Sequence, residues 1–310
     1  LARKVADRYE TAGSVKFVIG SVGPGTKLPS LGHATFDELR EAFLPQMLGL
    51  IAGSADAICI ETCQDLLQVK SAIDAAREAF RLTGVELPLL VSVTIESTGT
   101  MLLGSDVQAA ISTLLPMGID VLGLNCATGP AEMKRHVEHL SFHGPVRLMA
   151  MPNAGLPVNV DGEIVYTLTP DEFADWVEGF VQENGVGIVG GCCGTTPEHL
   201  GALVKRVGSL PAPGAPNTKH ETRNTKRSEG SVASLYQAVS LRQEPPPLIV
   251  GERTNANGSK AFRKHLLADD FDGMLAVARE QEKGGAHLLD VSVAYVGRDE
   301  MADVEKFVPM

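Results

Sequence analysis

The sequence contains no run of about 18 apolar residues, the length a helix needs to cross a bilayer. It opens without a secretory leader, since Leu1 to Glu10 carries five charges and no apolar centre. Positive charge is also in short supply. Lys and Arg number 27 against 38 Asp and Glu, a net charge of −11, which argues against a surface built to neutralise nucleic-acid phosphates. Only five cysteines occur in 310 residues, an odd number that suits a reducing cytoplasm better than a disulfide framework. What is present is ample apolar material, 44% hydrophobic residues, enough for one large or two ordinary cores. The chain begins at Leu1 and stops at Met310 inside a structured-looking segment, so it is expected to be a piece of a longer polypeptide.

From 15 to 207, short runs rich in Val, Ile and Leu alternate with stretches of helical period. The runs are 15–20 (VKFVIG), 57–61 (AICIE), 88–95 (PLLVSVTI), 119–125 (IDVLGLN), 146–151 (VRLMAM) and 186–190 (VGIVG). Continuous rather than alternating apolar character marks strands buried on both faces, hence a parallel sheet under helices. Helices are expected near 35–52, 64–82, 105–117, 130–143, 170–184 and 197–208. Glycine, asparagine, threonine and cysteine collect just after the runs, in SVGPGTK (21–27), ETCQD (61–65), ESTGT (96–100), NCATGP (125–130), MPNAGLP (151–157) and GGCCGTTP (190–197). A (β/α)8 TIM barrel places its chemistry at that end of every strand, whereas a doubly wound sheet concentrates it at one switch point. The pattern therefore favours a barrel with six of its eight strands present. About two βα units are expected upstream.

Residues 209–246 change character, with Pro211, Pro213, Pro216 and Pro245–Pro247 around the polar stretch KHETRNTKRSEG (219–230). Four basic minus two acidic residues leave 209–230 at +2, which fits a solvated linker better than a polyanion site. An α/β pattern restarts at 247, with a strand at 248–251, helix over 258–283 and a strand at 287–291. The expected division is a barrel over 1–208, a linker over 209–246 and the start of a second barrel over 247–310.

Cys192 and Cys193 end a strand after a glycine pair, and Cys126 ends another. Gly190, Gly191 and Gly194 free the chain to turn both sulfurs one way, and barrel closure would bring the two strand ends together. Three thiols on one face form a soft donor set for Zn2+ that leaves a fourth tetrahedral position open. The bland alternative is three small buried hydrophobes. Zn2+ with three thiolates carries −1, which suits holding a substrate thiol as a nucleophilic thiolate better than generating hydroxide.

GLNC (123–126), PNAG (152–155) and GGCCGT (190–195) resemble the motif set of the zinc-dependent homocysteine S-methyltransferases over 13–207. The resemblance implies a (β/α)8 barrel that binds zinc through Cys126, Cys192 and Cys193 and homocysteine through its sulfur. It also implies that Glu61 holds the substrate's amino-acid end; the alternative for Glu61 is a helix-start acid favoured by the macrodipole. The family's Asp-Gly-Ala-Met-Gly and Asn-Thr strands, which also help bind homocysteine, are not found here, so this stretch by itself is expected to be inactive. Cys59 reads as core, and Cys63 as core or pocket lining.

GERTNANGSKAFR (251–263) and LLDVSV (288–293) resemble the pterin-binding, methyltetrahydrofolate-dependent methyltransferases that work with cobalamin. By position Glu252, Asn255 and Asp290 match pterin-pocket residues, groups able to pair with the donors and acceptors of a pterin edge. For Glu252 the alternative is an ion pair with Arg253. AYVGRDE (294–300) departs from that family's Asn-rich pattern. Together the two resemblances imply an enzyme that methylates homocysteine to methionine. The methyl group would come from 5-methyltetrahydrofolate through methylcobalamin held by a cobalamin module of the same polypeptide. The rivals are a homocysteine methyltransferase fused to a methylenetetrahydrofolate reductase, and a zinc–thiolate protein with no catalytic role. Gly185, Gly187 and Gly190 fit G-x-G-x-x-G but precede and enter a strand, the wrong place for a dinucleotide turn. His136, His139 and His143 share a helix face without a carboxylate or thiol at a strand top and read as hydrated surface. Trp176 reads as packing.

Overall fold

The computed structural model describes residues 1–144, 146–211 and 230–310. Much of the expected linker, 212–229, lies outside the described residues. The chain forms two compact units, Leu1–Ser228 with Ala233–Ala238, and Glu229–Val232 with Val239–Met310.

The first unit opens with α1 (Ala2–Tyr9), which Arg3 fastens by ion pairs to Asp7 and Asp56, both at 2.7 Å. Six strands follow: β1 (Ile19–Val22), β2 (Ala57–Cys63), β3 (Leu89–Val93), β4 (Val121–Asn125), β5 (Arg147–Met151) and, after a hairpin of β6 (Pro157–Val160) and β7 (Glu163–Tyr166), β8 (Ile188–Val189). They form one parallel sheet in the order β1-β2-β3-β4-β5-β8, the arrangement of a half-barrel wall in which each strand lies beside the next parallel one. All six expected runs are strands. The first lies later than expected, because the sheet engages Ile19–Val22 opposite Ala57–Ile60, not 15–18.

The helices are α2 (Phe36–Ala52), α3 (Leu66–Thr83), α4 (Val107–Leu114), α5 (Pro130–His143), α6 (Pro170–Asn184) and α7 (Pro197–Val207). Their starts are written in the sequence. Thr35 with Glu38 and Thr169 with Glu172 form capping boxes, and Asp65 and Asp106 accept backbone N–H groups at the starts of α3 and α4. Every residue of β3 and β4 is buried. Alternate side chains divide between two cores: Ile58, Ile60, Val91, Val93, Leu122 and Leu124 pack under the helices, while Ala57, Cys59, Leu90, Val121 and Met149 meet on the other face. Two-sided burial is why the strands lack period-2 alternation.

The β6–β7 hairpin was not legible as a strand pair. All four residues of β6 are exposed, so no hydrophobic periodicity marks it. A second short hairpin, β9 (Ser231–Ala233) and β10 (Ala238–Ser240), occupies part of the expected linker. Its tip is held within the first unit. Tyr236 O accepts from Asp106 N at 3.0 Å, the buried Ser105 hydroxyl donates to Leu235 O, and the Tyr236 ring lies against Gly104.

The second unit pairs β11 (Val250–Asn255) with β12 (Leu288–Ser292) in parallel. Between them the expected single helical stretch is two helices, α8 (Lys260–Leu267) and α9 (Phe271–Lys283). The break is local chemistry: Asp269 takes a left-handed φ of 53°, and Asp270 caps α9 by accepting from Gly273 N at 2.9 Å. α10 (Glu300–Phe307) follows, and Phe262, Leu266, Met274, Val293 and Phe307 fill this unit's core.

Candidate metal centre

β4 and β8 flank β5, so residues leaving their C-terminal ends emerge one strand apart on the same rim. Sheet order alone brings Cys126 and the Cys192–Cys193 pair together; closure of a barrel is not needed. Cys126 Sγ lies 3.6 Å from Cys193 Sγ, Cys192 Sγ lies 4.0 Å from Cys193 Sγ, and the three sulfurs all fall within 4.8 Å of one another.

Backbone geometry creates this convergence. Cys126 and Ala127 both take left-handed φ values, 62° and 58°, a conformation that costs non-glycine residues energy and persists only where neighbours enforce it. Here Cys126 N donates to Met151 O, and Thr128 N donates back to Cys126 O. The other pair is held from the β5 end. Cys192 N donates to Pro152 O, Cys193 N donates to Asn153 Oδ1 at 3.0 Å, and Cys193 O accepts from Ala154 N at 2.9 Å. Glycine is required beside it: a Cβ on Gly191 would sit 2.3 Å from the Thr195 side chain, and one on Gly194 2.2 Å from the Tyr166 ring.

The electrostatics suit a cation. Hydrogen bonding from Cys192, aided by the Ala127 N–H, Cys193 and Asn153, pulls Cys126 down to about 5, against the burial that opposes it. Cys192, which donates to that thiolate, is pushed upward. A divalent ion would replace that shared proton with charge of its own. Three convergent sulfurs, one of them with its pKa pulled down, match the donor chemistry of zinc. Cys59 and Cys63 take no part. Both are buried, and burial pushes each up to about 12, so they remain neutral core thiols.

Glu61 stands at the top of β2, accepting from Ser21 Oγ at 2.5 Å. Its neighbour Thr62 is tied to Asn125, the residue before Cys126: Thr62 N donates to Asn125 Oδ1 at 2.9 Å, and Asn125 Nδ2 donates to Thr62 Oγ1 at 2.8 Å. Asn125 and Asn153, both buried, escaped notice as individual residues although they stand inside GLNC and PNAG. Nothing in composition singles them out, but their adjacency to candidate ligands is a usable signal.

In the second unit Asn255 and Asp290 are brought together, Asn255 Nδ2 donating to Asp290 Oδ2 at 3.0 Å. Glu252 is exposed, and among the described residues no ion pair joins it to Arg253. The three helix histidines are not simple hydrated surface. His139 bonds Gln108 at 2.8 Å, Arg135 Nε donates to His136 Nε2 at 3.0 Å, and burial together with the Arg135 charge lowers His136 to about 4. Trp176 is 38% exposed and lines a cavity of about 290 Å3 with Lys134, Glu172 and Glu183, formed by α5 and α6 and containing none of the cysteines.

Comparison with known proteins agrees with this geometry. A family model described as homocysteine S-methyltransferase matches residues 1–207, and one described as pterin binding enzyme matches 251–310. The methionine synthase of Mycobacterium leprae (strain TN) is 48% identical over 310 residues, 98% of this chain and 25% of its own length. That of Mycobacterium tuberculosis (strain ATCC 25618 / H37Rv) is 47% identical over 305 residues, again 98% and 25%. The chain thus spans about a quarter of the length of these curated relatives. Among solved structures, the apo form of an Escherichia coli homocysteine methyltransferase superposes with a TM-score of 0.52 at 23% identity, covering 66% of this chain and 70% of that one. At that identity the likeness speaks for the fold. Among the described residues no helix is long and apolar enough to cross a membrane.

Proposed function

The chain belongs to the homocysteine S-methyltransferase family, and from that premise we propose that it takes part in transfer of a methyl group to the thiol of homocysteine, yielding methionine. The observation that carries this reading is the convergence of Cys126, Cys192 and Cys193 within 4.8 Å at the ends of β4 and β8. These three side chains would hold Zn2+. When bound, zinc would supply a soft Lewis acid that lowers the substrate thiol's pKa while leaving the sulfur electron-rich. Asn125 and Asn153 fix where the sulfurs point, and Glu61 would receive the substrate's ammonium group.

The methyl group would originate from 5-methyltetrahydrofolate bound by the unit that begins at β11, with Asn255 and Asp290 at the pterin edge and Glu252 beside them, and would travel through methylcobalamin held by a cobalamin module of the same polypeptide. The match of 251–310 to a pterin-binding model supports this over fusion to a reductase. The match of residues 1–207 to a homocysteine S-methyltransferase model supports catalysis over inert zinc storage. Module limits of 1–208, 209–246 and 247–310 accompany the proposal, as does a cytoplasmic setting, in keeping with five unpaired cysteines. The test is methionine formation from methylcobalamin and homocysteine by the intact polypeptide. Loss of product in Cys126→Ser, with circular dichroism unchanged, supports the reading; full activity in that variant refutes it.

A further inference from the structure

The segment after β12, AYVGRDE (294–300), departs from the pattern expected there and has a fastening of its own. Arg298 holds it by a fork. Its Nε donates to Asp303 Oδ2 at 2.8 Å and its Nη2 to Asp303 Oδ1 at 2.6 Å, while Nη2 also donates to Asp269 Oδ1 at 2.8 Å. Asp303 is 3% exposed, so its charge is cut off from bulk water and depends on the arginine. Asp269 lies in the turn between α8 and α9 and Asp303 on α10, so Arg298 ties the segment to both. Arg263 adds a further hold, its Cζ 5.7 Å from the centre of the Tyr295 ring.

Hydrogen bonds lead from this anchored segment to the candidate pterin edge. Asn257 Nδ2 donates to Ala294 O at 3.0 Å. Asn257 N and Gly258 N both donate to Asn255 Oδ1, at 2.9 Å and 3.1 Å. Two donors fill the Asn255 carbonyl and turn its Nδ2 to Asp290 Oδ2, 3.0 Å away.

We propose that Arg298 is a positioning residue for Asp290: by locking 294–299 it holds Asn257, and through Asn257 the Asn255 amide that aims the Asp290 carboxylate. This rests on the reading of the second unit as the methyltetrahydrofolate site. Asp290 is exposed, and an exposed carboxylate must lose rotamer freedom before it can bind a ligand. The Asn255 amide removes that freedom beforehand. It holds one carboxylate oxygen and leaves the other for the N–H groups of a pterin edge. Arg298 touches no ligand in this role, because its charge is matched by Asp269 and Asp303. Lysine, a point charge on a flexible stem, cannot reproduce the fork.

The test is calorimetric titration of the intact polypeptide with methyltetrahydrofolate. Asn257→Ala and Arg298→Lys, each checked for folding by circular dichroism, are expected to weaken binding about tenfold, the size of one lost hydrogen bond. The double variant is expected to bind no worse than the weaker of the two single ones, since both changes break the same route. An arginine that served stability alone would lower the thermal midpoint and leave the affinity of the folded protein unchanged. Wild-type affinity in either folded single variant, or losses that multiply in the double variant, would overturn the role of Arg298 while leaving the folate site standing. Should Arg298→Lys not fold, Asn257→Ala decides alone, and wild-type affinity there overturns the route. Wild-type polypeptide that takes up no methyltetrahydrofolate would overturn the folate reading and this inference with it.

Discussion

Thr62 and Asn125 hold each other through two hydrogen bonds, of 2.9 Å and 2.8 Å, that span from the top of β2 to the top of β4 across the intervening strand. Thr62 sits at a left-handed φ of 61°, unfavourable for a β-branched residue, and the Asn125 side chain is the partner that fixes it there. The same amide reaches Cys192 Sγ at 3.9 Å. One buried side chain therefore links the strand top bearing Glu61 to both cysteine-bearing segments. Asn125→Ala should cost about 1–2 kcal/mol in urea unfolding, since it leaves half-buried partners unpaired. It should also weaken zinc retention, measured by competition with a chelator.

Cys126→Ser removes the thiol that hydrogen bonding pulls down to about 5. Zinc content should fall from one per chain towards zero while the far-ultraviolet dichroism is kept, because Cys126 stands at the strand end and outside the three hydrophobic clusters of the first unit. Elemental analysis of the purified variant checks this.

Thiol reactivity should separate Cys126 from Cys59 and Cys63 by pH. In metal-free protein at pH 6, iodoacetamide should label Cys126, lowered to about 5, and spare Cys59 and Cys63, raised to about 12 by burial. The stability consequences have opposite signs. Cys126 is lowered from 9.0 on folding, so its contribution is present above pH 9 and is lost as pH falls towards about 5. Cys59 and Cys63 are raised from 9.0, so theirs is present below pH 9 and is lost as pH rises towards about 12. Mass spectrometry of labelled peptides and denaturation midpoints across pH 5 to 11 test both.

The tip of the β9–β10 hairpin should protect itself from protease only while seated. Tyr236→Ala removes the ring from Gly104 and should speed cleavage within 231–240 several-fold, with little change in the thermal midpoint because Tyr236 is 56% exposed. Timed digestion with peptide mapping measures it.

The barrel wall was legible because its strands are buried on both faces, which writes them as unbroken apolar runs. The cysteine triad was legible because glycine and cysteine are rare enough side by side to stand out. Asn125 and Asn153 were not, since an asparagine serving as a bracket looks in sequence like any turn asparagine. Tyr166 was hidden for a different reason. It lies on a hairpin whose β6 strand is exposed along its whole length, and its ring lies against Gly194, distant in sequence, so neither periodicity nor spacing connects them. The α8–α9 break escaped because it depends on a single left-handed aspartate followed by a cap.

In the proposed centre Cys126, Cys192 and Cys193 hold zinc and leave one position for the substrate's sulfur. Zinc K-edge X-ray absorption on the intact polypeptide tests it most directly. Three sulfurs at about 2.3 Å and one lighter donor are expected without homocysteine, becoming four sulfurs when homocysteine is added. A spectrum that already shows four sulfurs, or that keeps three after saturation with homocysteine, would contradict it.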